Sequence, residues 1–426
     1  MAKLAVIGAG AMGLAAARYA LMRGHTVEVF EAGDRPGGMA AHFDFGGLSI
    51  ERYYHFICKS DQPTFALLAE LGIADRLRWR PTSMGYFIEG RHFRWGDPLS
   101  LLRFPLLGPL AKFRYGLQMF LTTRAKDFEH LEGVNAADWF IAGSGRKAFD
   151  LLWRRLLALK FHEYADDISA SWIATRIKRV GNSRRSLFQE ELGYLEGGSE
   201  TLVAALVADI EKRGGRITLG APAERIEVAN GRVSAVRAGG RTEAVDAVIS
   251  TVPTPYVADM VPALSDAAKA RYRAIRNIGV VCVLLKLKRP VTGHFWLNIN
   301  DREMDIPGII EFSNLRPLPD TVVYIPYYMP HSHPKWNWRD EEFVAECLSC
   351  LRKLNPAIGL DDLIDSHVGR LRYAQPLCEP NFKAKLPPVV TDIGGLQIAD
   401  TAFYYPEDRG IAESIRLAET MADAVA

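Results

Sequence analysis

The sequence predicts an α/β chain in which a nucleotide-binding α/β domain is interleaved with an α+β domain, and three observations predict it. Residues 4–38 run apolar strand, glycine turn, helix, second strand and terminal acid. Residues 99–179 turn mostly helical, and from Gly193 short strands and helices alternate again. At 426 residues the chain is longer than one hydrophobic core ordinarily supports, so two intertwined domains are expected.

The opening residues carry the most chemistry. An apolar strand at 4–7 leads into Gly8, Gly10 and Gly13, with Ala11 and Met12 between the last two; Thr26–Phe30 forms a second strand, closed by Glu31 and Ala32. Gly8 permits a tight turn, Gly10 lets the backbone approach a pyrophosphate, and Gly13 lets the helix pack close to the strands. The helix start then offers free N–H groups to phosphate. Glu31, about 20 residues past the glycines, is placed to accept hydrogen bonds from ribose hydroxyls, and its charge disfavours a 2′-phosphate. A glycine turn alone would be weak; here strand, helix, second strand and acid agree. Met1-Ala2-Lys3 before an apolar run has the look of a secretory leader, but glycines interrupt the run and strand periodicity continues, so it reads as mature structure.

Composition narrows the class. With 48% hydrophobic and 24% charged residues the chain resembles a globular enzyme, and a net charge of +2 gives no reason to expect a nucleic-acid partner. No run of about 18 apolar residues predicts a membrane-spanning helix. Five cysteines, an odd number, fit a reducing compartment and hence a cytoplasmic location. Cys347 and Cys350 form a Cys-x-x-Cys pair within a helical pattern, and His331-x-His333 lies between Pro330 and Pro334. Neither has the companions of a metal site, so no metal is expected.

The remaining elements follow from periodicity and punctuation. Residues 63–71 read as a helix stopped by Gly72, and 86–95 as a hairpin around Glu89-Gly90. Residues 99–123 are unusually apolar, interrupted by Arg103, Pro105, Pro109, Lys112 and Arg114; they fit either a buried helical pair or a peripheral membrane contact. Residues 200–213 form an amphipathic helix ended by Gly214-Gly215, followed by strands at 216–219, 223–228, 232–237 and 246–251. Strands at 278–287, Thr321–Met329 and 366–373 suggest an antiparallel sheet with the helix Asp340–Leu354 against it. A strand at 396–399 and a helix at 410–424 close the chain.

The doublet Gly37-Gly38 sharpens this reading. The run EAGDRPGG that it ends resembles the second half of the FAD fingerprint of amine oxidases, phytoene desaturases, protoporphyrinogen oxidases and UDP-galactopyranose mutases. Three further blocks resemble the same superfamily in order: GYLEGG at 193–198, DAVISTVP at 246–253, and GLQIADTAFYYPEDRGIAESI from Gly395. The resemblance implies a Rossmann-like FAD-binding domain built from residues 1–80, 191–265 and 386–426. With it is interleaved an α+β substrate domain, whose helical part is 81–190 and whose mixed sheet is 266–385. It also implies non-covalent FAD, since no cysteine lies near the terminal block. Beyond the opening glycines and Glu31, the implied cofactor residues are Arg35, Gly37, Gly38 and Met39, with Ala223 beside the adenine and Thr251 after its strand. Asp400 is expected at the ribityl or pyrophosphate, and the N–H groups of Gly410, Ile411 and Ala412 at the flavin's pyrimidine edge, where a helix start favours negative charge. Much of the superfamily has a basic residue where this chain has Met39, and Arg35 is the candidate replacement.

The implied reaction is hydride transfer from a C–H bond of a small-molecule substrate to FAD. Electrons would leave to dioxygen or a quinone, because no second glycine fingerprint would dock a nicotinamide. In amine oxidases a lysine on a substrate-domain strand positions water beside the flavin. Aligned on VVCVLLKLKRPVTGHFW, Cys282 or Val283 takes its place, with Lys286 and Lys288 farther along. The reading therefore moves toward an apolar or lipid-linked substrate, in the manner of desaturases and protoporphyrinogen oxidases. The alternative is a non-redox enzyme resembling UDP-galactopyranose mutase, its sugar-nucleotide diphosphate held by the basic residues at 176–179 and Arg184-Arg185. His55 is the candidate acid or base, with an unperturbed pKa of about 6.5. Tyr404 and Tyr405 either wall the substrate site or pack the core.

Overall fold

A computed structural model describes residues 1–425. The opening unit comprises Lys3–Ile7, the helix Ala11–Met22 and Thr26–Phe30, its two strands paired in parallel. Three more strands complete a five-stranded parallel sheet, in the order Arg216–Thr218, Thr26–Phe30, Lys3–Ile7, Ala247–Ser250, Leu396–Ile398. Both faces of this sheet are covered, which is why its strands are apolar throughout instead of alternating. Leu4, Val6 and Ile249 turn toward the helices Ala11–Met22, Glu200–Lys212 and Ile411–Asp423. Ala5, Ile7 and Val248 turn the other way, onto an antiparallel sheet of Ala223–Ala229, Arg232–Ala238 and Arg241–Ala244. Those three strands form their own layer instead of extending the parallel sheet. Their turns, Asn230-Gly231 and Gly239-Gly240, all have positive φ, the backbone hand that folds adjacent strands into hairpins.

The second large sheet has seven strands, in the order Leu363–Pro376, Asn277–Leu287, Thr321–Met329, Gly308–Glu311, Trp296–Ile299, Met84–Ile88, Arg91–Trp95. Only Trp296–Ile299 and Met84–Ile88 pair in parallel. The 84–95 hairpin thus belongs to this sheet, and the helical segment begins at Pro98. Along Asn277–Leu287, alternation separates two faces. Val281, Val283, Leu285 and Leu287 pack toward the helix Asp340–Leu354; Val280, Cys282 and Leu284 pack toward Tyr53, Tyr54 and Phe56. Cys347 and Cys350 are buried in the helix-covered core, Cys347 Sγ lying 3.3 Å from the Tyr327 hydroxyl. His331 and His333 have separate partners: His331 Nε2 meets the Arg372 carbonyl at 2.7 Å, and His333 Nδ1 accepts the Lys335 N–H at 3.2 Å.

Residues 42–51 lack a clear strand pattern, yet Gly46-Gly47, at φ 57° and 79°, folds them into the hairpin His42–Phe45 and Leu48–Glu51. Its last residue joins the two halves of the molecule. The buried Glu51 carboxylate accepts the Ser199 N–H at 2.9 Å and Arg316 Nη1 at 3.2 Å, with His42 Nε2 at 3.4 Å. The Glu51 carbonyl accepts the Tyr324 hydroxyl at 2.6 Å. Ser199 caps a helix of the nucleotide half, while Tyr324 belongs to the seven-stranded sheet. Burial pushes the Glu51 carboxyl up, but the His42 hydrogen bond and the charges of His42 and Arg316 outweigh it and hold it below the ordinary value.

Glu51→Gln leaves the Arg316 guanidinium without its counter-charge and is expected to cost about 3–5 kcal/mol in urea unfolding. The folded carboxyl titrates below its unfolded value of 4.5, so its contribution is complete above that pH and is lost as pH falls through the lowered value. The glutamine variant is expected to lack that part of the acid-side slope.

Candidate cofactor and active site

The glycine turn is shaped by what it excludes. Gly8 sits at φ 98°, and a Cβ on Gly13 would lie 1.8 Å from the Gly8 carbonyl oxygen, so the helix reaches the turn only as glycine. Over Gly10 nothing lies within 4 Å of where a Cβ would stand. Gly10 caps the helix without a side chain, and the first helical bond runs from the Leu14 N–H at 2.9 Å. The N–H groups of Ala11, Met12 and Gly13 therefore have no helical partner. Gly37 donates its N–H to the Ala9 carbonyl at 2.8 Å, and a Cβ on Gly38 would come 3.1 Å from Gly10 Cα, so the two glycine turns lie against each other.

Glu31 closes the turn, its carboxylate accepting the Ala9 N–H at 2.7 Å and the Gly33 N–H at 2.8 Å. The Thr251 hydroxyl donates to the Ile7 carbonyl at 2.9 Å, directly beneath Gly8. Ala32 is exposed, Met39 is half-buried in the turn Gly38–Ala40, and Arg35 donates to the His42 carbonyl. Ala223 begins its antiparallel strand opposite Ala238.

A second helix start stands beside the first. Gly410 caps Ile411–Asp423 without a side chain, leaving the N–H groups of Ile411, Ala412 and Glu413 without helical partners. Tyr404 links the two starts, its hydroxyl 2.8 Å from Ser414 Oγ and 3.8 Å from Met12 Sδ. Tyr404 is buried among the apolar side chains of the nucleotide half. Tyr405 likewise is engaged internally, donating to Glu132 at 2.7 Å and lying 2.8 Å from Ser169 Oγ. Burial pushes both phenols well above their ordinary range. Asp400 is buried, with Oδ2 accepting the Thr254 N–H at 2.6 Å and Oδ1 the Ala402 N–H at 2.8 Å. Burial raises its carboxyl against the pull of those bonds.

These donors fit a dinucleotide. The space over Gly10, three free N–H groups, a carboxylate at the strand end and a second free helix start match, in order, a pyrophosphate, a ribose and an electron-accepting ring.

Tyr53, Tyr54 and Phe56, on either side of His55, pack on the seven-stranded sheet. His55 Nδ1 is buried with no hydrogen-bond partner among the described residues. Burial pushes the imidazole below its ordinary pKa although Glu51 and the Tyr53 backbone pull it up, so the ring is neutral at neutral pH. Cys282, not Val283, faces Tyr53 and Tyr54. Burial pushes its thiol far up, which keeps it protonated. Lys286 is on the same face but is held at the far end by the carbonyls of Phe45 and Gly46, at 3.2 and 2.9 Å. Tyr54 stands edge-on to Trp296 and Tyr324, each ring at 5.8 Å.

The basic run at 176–185 is divided. Arg176 pairs with Asp408 at 3.0 Å, Arg179 grips Asp61 with two bonds of 2.7 and 3.0 Å, and Arg184 donates to the carbonyls of Gly96 and Leu187. Lys160, Asp408 and Arg409 stand near the site without having been singled out from sequence; Asp408-Arg409, directly before Gly410, was the available signal.

Fold and site together define a dinucleotide-binding α/β protein with an interleaved substrate sheet. The model of the family described as flavin containing amine oxidoreductase matches residues 13–387, and the chain belongs to that family. FAD is its cofactor. The 15-cis-phytoene desaturase of Solanum lycopersicum is 27% identical over 246 residues, covering 53% of this chain and 42% of that enzyme. The chain spans about half the length of the curated relatives it matches. An oxidoreductase from Methanosarcina mazei has the same fold, with a TM-score of 0.74, 19% identity and 99% of both chains covered. So does the cyclohexylamine oxidase of Brevibacterium oxydans, at a TM-score of 0.71 and 18% identity, over 99% of this chain and 98% of that one.

Gly13→Ala, which would press a methyl group onto the Gly8 carbonyl, is expected to weaken FAD retention at least about tenfold, the equivalent of 1.4 kcal/mol. Flavin-fluorescence titration measures it, with circular dichroism showing that the chain still folds.

Proposed function

We propose that this protein is an FAD-dependent oxidoreductase that removes hydride from a C–H bond of an apolar or lipid-linked substrate. The observation that carries this reading is the pair of uncapped helix starts joined through Tyr404; the charge of Arg409, the residue before the second start, reaches His55, whose Nδ1 is unpartnered. FAD, when bound, supplies the two-electron acceptor.

In this reading Gly8, Gly10, Ala11, Met12, Gly13, Gly37 and Gly38 receive the pyrophosphate, and Glu31 the adenosine ribose. The N–H groups of Gly410, Ile411 and Ala412 stabilise negative charge on the ring. Tyr54, Trp296 and Tyr324 exclude water from the reacting bond, and a neutral His55 is free to take a proton at Nδ1. Asp400 acts one step removed, holding the Thr254 and Ala402 backbones beside the site. The protonated Cys282 thiol at the candidate lysine position supports a substrate other than a simple amine. The family and the division of the 176–185 arginines favour redox chemistry over the mutase alternative. Dioxygen and a quinone stand as the acceptors to compare.

The lipid part of the proposal rests on one surface. The helices Pro98–Arg103 and Pro109–Arg124 expose Leu102, Leu110, Phe113, Leu117, Phe120 and Leu121, with Leu110 at 72% and Phe113 at 67% exposure. From residue 98 to 126 there is no acid and there are five bases. Lys112 and Arg114 donate to nearby carbonyls, while Arg103 and Arg124 are exposed on the rim. No helix among the described residues is long and apolar enough to cross a membrane. An apolar stripe rimmed by cations fits the surface of an anionic bilayer.

The purified protein is expected to be yellow, to release FAD in acid, and to bleach anaerobically with its substrate and recover with the correct acceptor. A colourless protein that takes up no FAD overturns the reading. Glu31→Ala is expected to weaken FAD binding at least about tenfold; unchanged affinity would show that the carboxylate serves only the turn. Co-sedimentation with phosphatidylglycerol vesicles is expected, and a Leu110→Ser, Phe113→Ser, Phe120→Ser variant should stay in the supernatant.

A further inference from the structure

We propose that the substrate carries an anionic group, a carboxylate or phosphate, received by Lys160, Arg176 and Arg409 against an aromatic wall; this rests on the oxidoreductase reading above. Lys160 Nζ lies 4.9 Å from the Tyr328 ring centroid, 5.2 Å from Trp172 and 5.3 Å from Phe161. The Arg409 guanidinium stands 5.2 Å over the same Tyr328 ring and donates to its hydroxyl. Arg176 stands 6.0 Å over Trp172 and 5.9 Å over Trp296. The wall then continues from Trp296 to Tyr54, the residue before His55. The cluster therefore lies on the substrate side of the site, away from the glycine turn.

Its charges do not balance. Among the described residues Asp408, 3.0 Å from Arg176, is the one carboxylate ion-paired with any of the three cations, and Lys160 makes no ion pair or hydrogen bond. Cations gathered at partly buried positions repel one another and lose hydration, and an ammonium that only packs on rings is replaceable by an apolar side chain at no such cost. Burial, then the charge of Arg176, pushes the Lys160 ammonium well below the ordinary lysine range, with Asp408 opposing. An anion placed between Lys160 and the two guanidinium groups would offset the excess and restore the lysine charge.

The aromatic surroundings define the rest of the ligand. The helix Ala170–Gly181 carries Trp172 and Arg176, and it packs against the apolar-striped helix Pro109–Arg124, with Asn182 just past its end donating to the Thr123 carbonyl at 3.1 Å. An organic anion with an apolar remainder matches charge at one end and rings along the path.

The test uses FAD-loaded protein with four eight-carbon probes, octyl phosphate, octanoate, octanol and octylamine, and with inorganic phosphate. Quenching of tryptophan fluorescence and perturbation of the flavin absorbance report binding, since Trp172 and Trp296 belong to the wall. The two eight-carbon anions are expected to bind at least tenfold more tightly than octanol, octylamine or inorganic phosphate. Lys160→Met should weaken both anions at least tenfold while melting temperature and FAD affinity stay unchanged, and Lys160→Arg should retain them. Octylamine binding as tightly as octanoate, undiminished anion binding by Lys160→Met, or loss of FAD from that variant would each overturn the proposal; the last would assign the cluster to the cofactor. Lys160-dependent anion binding in a protein that takes up no FAD would instead overturn the oxidoreductase reading and leave the anion site standing.

Discussion

The contact between Gly13 and the Gly8 carbonyl is the constraint on which the nucleotide half is built. With 1.8 Å between that oxygen and an ideal Cβ, one methyl group would lift the helix Ala11–Met22 off the strand it follows. That helix carries the free N–H groups of the turn and lies beside the closing helix Ile411–Asp423, which supplies the second set. Gly37-Gly38 seats against Gly10 by the same absence of side chains. The cradle is therefore built from missing atoms, and its donors are backbone groups whose positions depend on packing alone.

A buried carboxylate and a buried phenol extend that local geometry to the whole molecule. Glu51 connects the nucleotide half, through the Ser199 N–H, to the seven-stranded sheet, through Tyr324 on one of its strands and Arg316 on the connection that precedes that strand. Tyr404 sets the closing helix against the opening one. Just past Glu51 in the chain, the segment 53–56 presents His55 with an unpartnered ring nitrogen. Low polarity at this point keeps the imidazole neutral and the Cys282 thiol protonated, so the reaction space has few fixed charges of its own. The charges stand to one side, at Lys160, Arg176, Asp408 and Arg409.

The parallel strands, the amphipathic helices and both glycine turns were legible because each depends on neighbours in sequence: periodicity, turn glycines and helix starts. Short strands such as Trp296–Ile299 and Gly308–Glu311 were not, since four residues carry little period and gain their stability from the sheet they join. The strands at 223–228 and 232–237 were legible and Arg241–Ala244 was not; their separation from the parallel sheet rests on positive-φ turns that allowed hairpins without requiring them. The apolar 99–123 stretch admitted a buried pair or an exposed face; packing left Leu110 and Phe113 outside.

By itself the sequence determined the dinucleotide cradle, the FAD family and the α/β class, because glycine spacing and strand patterning act through local sterics and hydrogen bonding. Only the tertiary structure decided which side chains are at liberty for chemistry. It engaged Tyr404 and Tyr405 in internal hydrogen bonds, turned Cys282 instead of Val283 toward the site, and divided the arginines of 176–185 among Asp408, Asp61 and backbone carbonyls. It also brought Lys160 to Arg409, 249 positions later in the chain, across one tyrosine ring. The physical reason is that partnership between distant groups depends on which faces meet when the sheets pack, and no spacing along the chain encodes it.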